Sequence, residues 1–302
     1  MSLNTRPWRT TLWVITVVVA LGLVVSSFAH QLTIPFILVQ IVFLLLHGAR
    51  RYGWSGIAAF VVAGLLISNI LENLSIATGF PFGNYYYTGD GKIFEVPWFI
   101  GPAYLATGYL AWVVATVLLG DVRRGSSWLT TIGTPVIAAF TMTLWDLSMD
   151  PTLATIGHNW IWEDGGGYFG VPLGNFLGWT FTVYLFMQVF ALYVRSRGPQ
   201  PAAGPDLAGS RTRDLASDLQ GVVLYGLTGV GFVVAYFIEE HTTVTDATGA
   251  VWNTADIYET SALVTVYGMF FFALVALLRI AQQHLTPAPS ATSDERTTVS
   301  AS

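Results

Sequence analysis

Apolar stretches about as long as a bilayer-crossing helix, ~20 residues, recur along the whole chain, and they limit the fold more than any local motif. Eight can be read, at 11–29, 32–48, 54–72, 98–119, 128–148, 172–194, 219–239 and 257–281. Only 10% of the 302 residues are charged. In hydrocarbon every backbone N–H and C=O must be bonded within the protein, so such runs form helices. The expected class is all-α: a polytopic membrane helix bundle of about eight transmembrane helices. The first run could be a cleaved signal peptide, because Arg6 and Arg9 precede an apolar stretch ending in Ser26-Ser27-Phe28-Ala29. It reads as a retained helix, since the second run follows so closely that the two form a hairpin.

Basic residues are held on the cytoplasmic side during insertion. Arg6, Arg9, Arg50, Arg51, Arg123, Arg124, Arg195, Arg197, Arg211, Arg213, Arg279 and Arg296 fall on one side of an eight-span arrangement, and only Lys92 on the other. A cell-membrane protein with both termini cytoplasmic is expected, with an anionic outer face. Residues 195–218, rich in Gly, Pro and Ala, read as a solvated cytoplasmic linker within one transmembrane domain, 1–285. The polar tail 286–302 reads as disordered. Twelve Arg against one Lys, with an acidic pI near 5.4, suits a halophile, although genomic base composition would give the same bias.

Two segments of the outer side repeat each other at a constant offset of 75 positions: residues 84–97 and 159–172. The offset sets Asn84 on Asn159, Tyr85 and Tyr87 on Trp160 and Trp162, Gly91 on Gly166, Phe94 on Phe169 and Val96-Pro97 on Val171-Pro172. Each copy follows an apolar helix ending in carboxylates, Glu72 in one, Asp146 and Asp150 in the other. The third–fourth and fifth–sixth helices thus form a parallel internal repeat.

A carboxylate kept within a span costs about 2.5–3.5 kcal/mol on insertion scales, so it usually faces a cavity or a partner. Asp146 and Asp150 are four apart, on one face of the fifth helix, which Pro151 is expected to end at once; Glu72 with Asn73 ends the third helix in the matching place. The bland alternative is an interfacial helix end touching water. A buried, ring-flanked carboxyl such as Asp146 is harder to ionise and can donate a proton at neutral pH. Many Trp and Tyr near the outer boundary belong to an interfacial belt. The Tyr85/Tyr87 and Trp160/Trp162 alternation inside glycine-containing loops exceeds it. Rings beside carboxyls suit an apolar polyene or a brief cation.

Other chemistries lack their residues. No cysteine is present, the histidines show no ligand spacing and no metal is expected, and Lys92 sits in a loop rather than inside the bundle, which excludes a retinal-type Schiff base. No phosphate-binding Gly-x-x-x-x-Gly-Lys loop occurs, and no nucleic-acid partner is expected.

The set Glu72, Gly79-Phe-Pro-Phe-Gly83, Tyr85-Tyr-Tyr87, Val96-Pro97-Trp98, Trp145-Asp146, Met149-Asp150-Pro151, Trp160-Ile-Trp162, Gly170-Val-Pro172, Asn175 and Gly178-Trp179 resembles the integral-membrane carotenoid biosynthesis family that includes carotenoid 1',2'-hydratases. Within it the chain is most similar to the haloarchaeal bisanhydrobacterioruberin hydratases. The resemblance spans approximately Arg51 to Tyr193 and is looser around Glu239 and Trp252. It implies addition of water to the terminal C=C bonds of an acyclic C50 carotenoid, giving the tertiary alcohols of bacterioruberin. It also implies a carotenoid, water and membrane lipid as partners, with other carotenoid-pathway membrane enzymes alongside.

Alkene hydration needs a proton donor, a pocket for a tertiary cation and a group that orients water. The residues suggest Asp146 as acid and Asp150 or Glu72 as base. Tyr85, Tyr87, Trp160 and Trp162 would shield the cation, Trp145, Asn175 and Trp179 would complete the substrate site, and no cofactor is required. Two rivals remain: a membrane prenyltransferase using Asp146-x-x-x-Asp150, and a proton-coupled carrier.

Overall fold

A computed structural model describes residues 6–28, 33–198 and 215–285. The helices are α1 (Arg6–Ser26), α2 (Thr33–Thr78), α3 (Ile100–Leu118), α4 (Trp128–Asp150), α5 (Leu173–Arg197), α6 (Leu215–Thr228), α7 (Val230–Ile238), α8 (Thr254–Val264) and α9 (Phe270–Leu285). Short strands fill the loops: β1 (Tyr85–Tyr87), β2 (Lys92–Ile93), β3 (Val96–Pro97), β4 (Trp160–Trp162), β5 (Thr243–Thr245) and β6 (Val251–Asn253). Seven stretches of described helix are long and apolar enough to cross a membrane, which makes this a multi-pass, all-α membrane bundle. The expected tail 286–302 and linker residues 199–214, with Arg211, Arg213 and Arg296, lie outside the described residues.

The second and third apolar runs, read from the sequence as two spans, merge into one apolar stretch, Ile37–Thr78. At 1.5 Å per residue its 42 residues would reach about 60 Å, twice the hydrocarbon thickness, so the chain must turn within it. It turns at Gly53, whose φ of 75° and ψ of 166° are non-helical and suit a residue without Cβ. The two arms fold back closely enough that a Cβ at Gly48 would overlap the Ile57 side chain. Eight apolar passes are therefore counted in seven stretches.

α2 packs on α3 and α5, and α4 packs on α5 and α3. This is the pattern expected of two helix pairs related by a pseudo-twofold axis, α2 matching α4 and α3 matching α5. α3 is buried on every face from Tyr104 to Val117, because α6 and α9 cover the side that the repeat leaves open. Its core carries Trp112 and Tyr109 against Phe60, Phe186 and Phe190.

At one end of the bundle Arg51 bridges Asp218 at 3.0 Å and Asp121 at 3.5 Å. Arg195 there donates to the Ser126 carbonyl. The paired loops stand at the other end.

Candidate active site

The loops of the two copies are hydrogen-bonded to each other. β1 and β4 run antiparallel with Tyr85 opposite Trp162, Tyr86 opposite Ile161 and Tyr87 opposite Trp160. The exchange is reciprocal beyond the strands: Thr88 N donates to Asn159 O at 3.1 Å, and Glu163 N to Asn84 O at 3.0 Å. Strand alternation sends Tyr85, Tyr87, Trp160 and Trp162 inward and leaves Tyr86 exposed. The facing rings meet, Tyr85 on Trp162 at 4.8 Å and Tyr87 on Trp160 at 5.9 Å. The turn before β1 lies directly on α5 because Gly178 leaves room for it; a Cβ there would come within 2.8 Å of the Pro81 carbonyl.

Beneath this ribbon lie three buried carboxyls: Glu72, Asp146 and Asp150, at 3%, 1% and 1% exposure. Glu72 accepts three phenol hydrogen bonds. Tyr104 donates to Oε1 at 2.7 Å, while Tyr85 and Tyr87 donate to Oε2, the latter at 3.1 Å. Burial, reinforced by the Glu72 charge, pushes the Tyr85 and Tyr87 phenols well above their ordinary value, so both remain O–H donors at any ordinary pH. Asp150 accepts Trp160 Nε1–H at 2.8 Å. Asn175 Nδ2 donates to Oδ2 of both aspartates, 3.1 Å from that of Asp146. The other Asp146 oxygen, Oδ1, is buried with no hydrogen-bond partner among the described residues. Asp146 interacts electrostatically with both Asp150 and Glu72, so the three carboxyls share one enclosure.

Half-buried rings close the sides. Trp179 stacks on Tyr104 at 4.3 Å and 5°, and Trp145 stands 6.3 Å from Trp179. Tyr168 donates to the Leu147 carbonyl at 3.0 Å, and burial pushes its phenol up to about 12. A small open recess lined by Thr155, His158, Trp160, Trp162 and Asp246 adjoins the cluster from the solvent side.

All the residues that the sequence singled out, Glu72, Asp146, Asp150, Tyr85, Tyr87, Trp145, Trp160, Trp162, Asn175 and Trp179, are thus placed in or against one cluster. Two local expectations need correction. Glu72 and Asn73 do not end their helix, because α2 continues to Thr78 with Thr78 Oγ1 bonded back to Leu74 O at 2.7 Å. Pro151 does not stop the helical path after α4. The chain widens into a π-helical turn, Pro151–Ile156, with Gly157 N reaching back five residues to Thr152 O at 3.0 Å. A proline lacks the N–H of the regular ladder and crowds the carbonyl four residues back, and a wider turn accommodates both defects. The carboxyls therefore sit inside helical stretches rather than at their ends.

Tyr104 is a site residue that the motifs missed. The offset of 75 would have found it, since it places Tyr104 on Trp179, its stacking partner. The same offset puts Ser75 on Asp150, Leu71 on Asp146 and Leu147 on Glu72. The carboxyls of the two copies are therefore neighbours in space without being equivalent in register.

Among the described residues no group of three or more His, Asp or Glu side chains is arranged to hold a metal. No curated protein and no solved structure matches the chain. The sequence pattern of the carotenoid biosynthesis protein family matches residues 32–209, which take in α2 to α5, both repeated loops and all three carboxyls. The chain belongs to that family.

Proposed function

We propose that this chain is a carotenoid hydratase that adds water to the terminal C=C bonds of an acyclic C50 carotenoid, turning bisanhydrobacterioruberin into bacterioruberin. Family membership supports a carotenoid substrate and an enzymatic role in its biosynthesis. The observation that carries the reaction type is the unpartnered Oδ1 of Asp146. It lies within an aromatic enclosure, beside two other carboxyls and, among the described residues, with no cation bonded to any of them.

Asp146 donates its proton to the less substituted alkene carbon. The bond formed is C–H, and the positive charge falls on the tertiary carbon. The faces of Tyr85, Tyr87, Trp160 and Trp162 shield that cation. Water then attacks it, forming C–O, and passes a proton to Asp150, which is oriented by Trp160 and Asn175. Asn175 spans both aspartates, so a proton returning from Asp150 to Asp146 resets the site. Glu72, which the sequence left as an alternative base, is wrapped by three phenol donors and suits a fixed carboxylate that positions Tyr85, Tyr87 and Tyr104. The atoms of alkene and water sum to the tertiary alcohol with no oxidant or cofactor. The arginine pattern favours a cell-membrane orientation with this site on the outer side and both termini cytoplasmic.

Expression in a strain that accumulates the anhydro-carotenoid, with pigments followed by liquid chromatography and mass detection, tests the reading. A gene-dependent gain of one water mass per modified end is expected. An unchanged pigment profile would remove the hydratase.

A further inference from the structure

The two copies of the loop have like backbones and unlike surroundings. Phe94 and Phe169 occupy equivalent positions, and both take the left-handed conformation, with φ of 55° and 51°. A non-glycine residue stays there only when its neighbours hold it. For Phe169 the neighbours are evident. Its ring lies 5.6 Å from Trp252 of β6, its carbonyl accepts Thr155 Oγ1–H at 2.5 Å, and Gly170 next to it abuts Asp246 of the same β5–β6 hairpin.

Phe94 is held just as firmly by its backbone. β2 pairs with β3, Trp98 N donates to Gly91 O at 3.0 Å, and Glu95 N donates to Asn73 Oδ1 at 3.1 Å. Yet Phe94 as a residue is 81% exposed, with Ile93 and Trp98 at 52% and 43% beside it.

Where this tip stands says what covers it. Asn73 precedes the end of α2 at Thr78 by five residues, so the Glu95 amide is tied about 7 Å below that end. At that level α2 turns Ile70 and Leu74 outward, 60% and 39% exposed. The apolar tip is therefore continuous with the flank of a helix apolar enough to cross the membrane. A Phe, Ile and Trp surface at the end of such a helix fits the boundary between lipid headgroups and acyl chains.

We infer that the β2–β3 tip, centred on Phe94, is a wedge that inserts into the lipid leaflet at the loop end of the bundle. Its second-copy equivalent at Phe169 is withdrawn from lipid by the β5–β6 hairpin. The inference does not depend on the reaction catalysed.

The chain has no cysteine, so single-cysteine labelling of the full protein is clean. Phe94→Cys and Phe169→Cys carrying a nitroxide are reconstituted in phosphatidylcholine vesicles, and relaxation by oxygen, which concentrates in lipid, is compared with relaxation by a water-soluble nickel chelate. At position 94 oxygen is expected to relax the label more than the chelate does. Position 169 is expected to resist labelling or to be shielded from both. Ile93→Cys reads the same tip should the first variant not fold. Dominant relaxation by the chelate at 94 and 93 would put the tip in water. Spin–spin broadening at 94 that disappears on dilution with unlabelled protein would place a second copy over it. Lipid-like exposure at 169 would remove the contrast between copies. Any one of these results overturns the inference.

Discussion

The same fold unit, used twice, holds its carboxyls in opposite ways. In the first copy Glu72 has both oxygens occupied, by Tyr85, Tyr87 and Tyr104. In the second, Asp146 and Asp150 share one Asn175 side chain, and one Asp146 oxygen has no partner among the described residues. Position 75, the register equivalent of Asp150, carries a serine that only ties the loop: Ser75 Oγ accepts from Phe82 N and donates to Gly83 O, both at 3.1 Å. A buried polar atom left unsatisfied costs about 1–3 kcal/mol. On the proposed mechanism this difference keeps the first carboxyl for structure and the second for chemistry.

That contrast breaks most visibly at Asp146. On the proposed mechanism Asp146→Asn lowers hydration about 10²–10⁴-fold, the usual worth of a positioned acid, and leaves the melting temperature in detergent unchanged or raised, because the oxygen it alters bonds nothing. Pigment analysis paired with a thermal melt checks both halves. Full hydration by this variant would assign the acid elsewhere.

Glu72→Gln should do the reverse. The amide presents N–H groups to phenols that donate to Glu72 in the parent, costing about 1–3 kcal/mol for each one stranded. The melting temperature should fall by several degrees, with any loss of turnover following that of folded protein. If Glu72→Gln melts like the parent while losing turnover outright, Glu72 is the chemical residue and the division between copies is wrong.

Tyr104→Phe is a milder version of the same test. It keeps the ring stacked on Trp179 and removes one hydrogen bond to a charged acceptor, worth about 1.5–3 kcal/mol. A melt of this variant that matches the parent would show that Glu72 does not need its third phenol.

The repeat makes much of this legible from sequence. A fixed offset names Tyr85, Tyr87, Trp160 and Trp162 as counterparts, and the apolar runs give the spans. Other features depend on contacts that no local pattern encodes. The offset cannot say that the counterpart strands pair with each other, which is what gathers carboxyls from α2 and α4 into one enclosure. The turn at Gly53 was hidden because helical residues continue on both sides of it. The path past Pro151 was misread because proline's usual effect, ending a helix, has a rarer alternative in a wider turn. Tyr104 was hidden by its setting, one tyrosine in a helix buried all round, where an aromatic residue ordinarily means core.

The smallest expected effect concerns the hairpin that covers only the second copy. Asp246 closes it, accepting Trp252 Nε1–H at 2.8 Å, Thr248 Oγ1–H at 2.7 Å and the Thr248 and Ala250 amides at 2.9 and 3.0 Å. Slight burial alone would raise its carboxyl, but these donors outweigh it and hold the group below the ordinary value of about 3.9. A carboxyl depressed by folding contributes stability that is fully present above its unfolded pKa and lost as pH falls through the folded value. The hairpin should therefore hold unchanged from neutral pH down to about 4 and loosen only below that. Asp246 is only partly buried, so the change should be small. A nitroxide at Thr245→Cys would report it as rising mobility at low pH, and Asp246→Asn should show that mobility already at neutral pH. Equal mobility in the two proteins at neutral pH would mean that Trp252 packing on Phe169, rather than the aspartate, keeps the second copy covered.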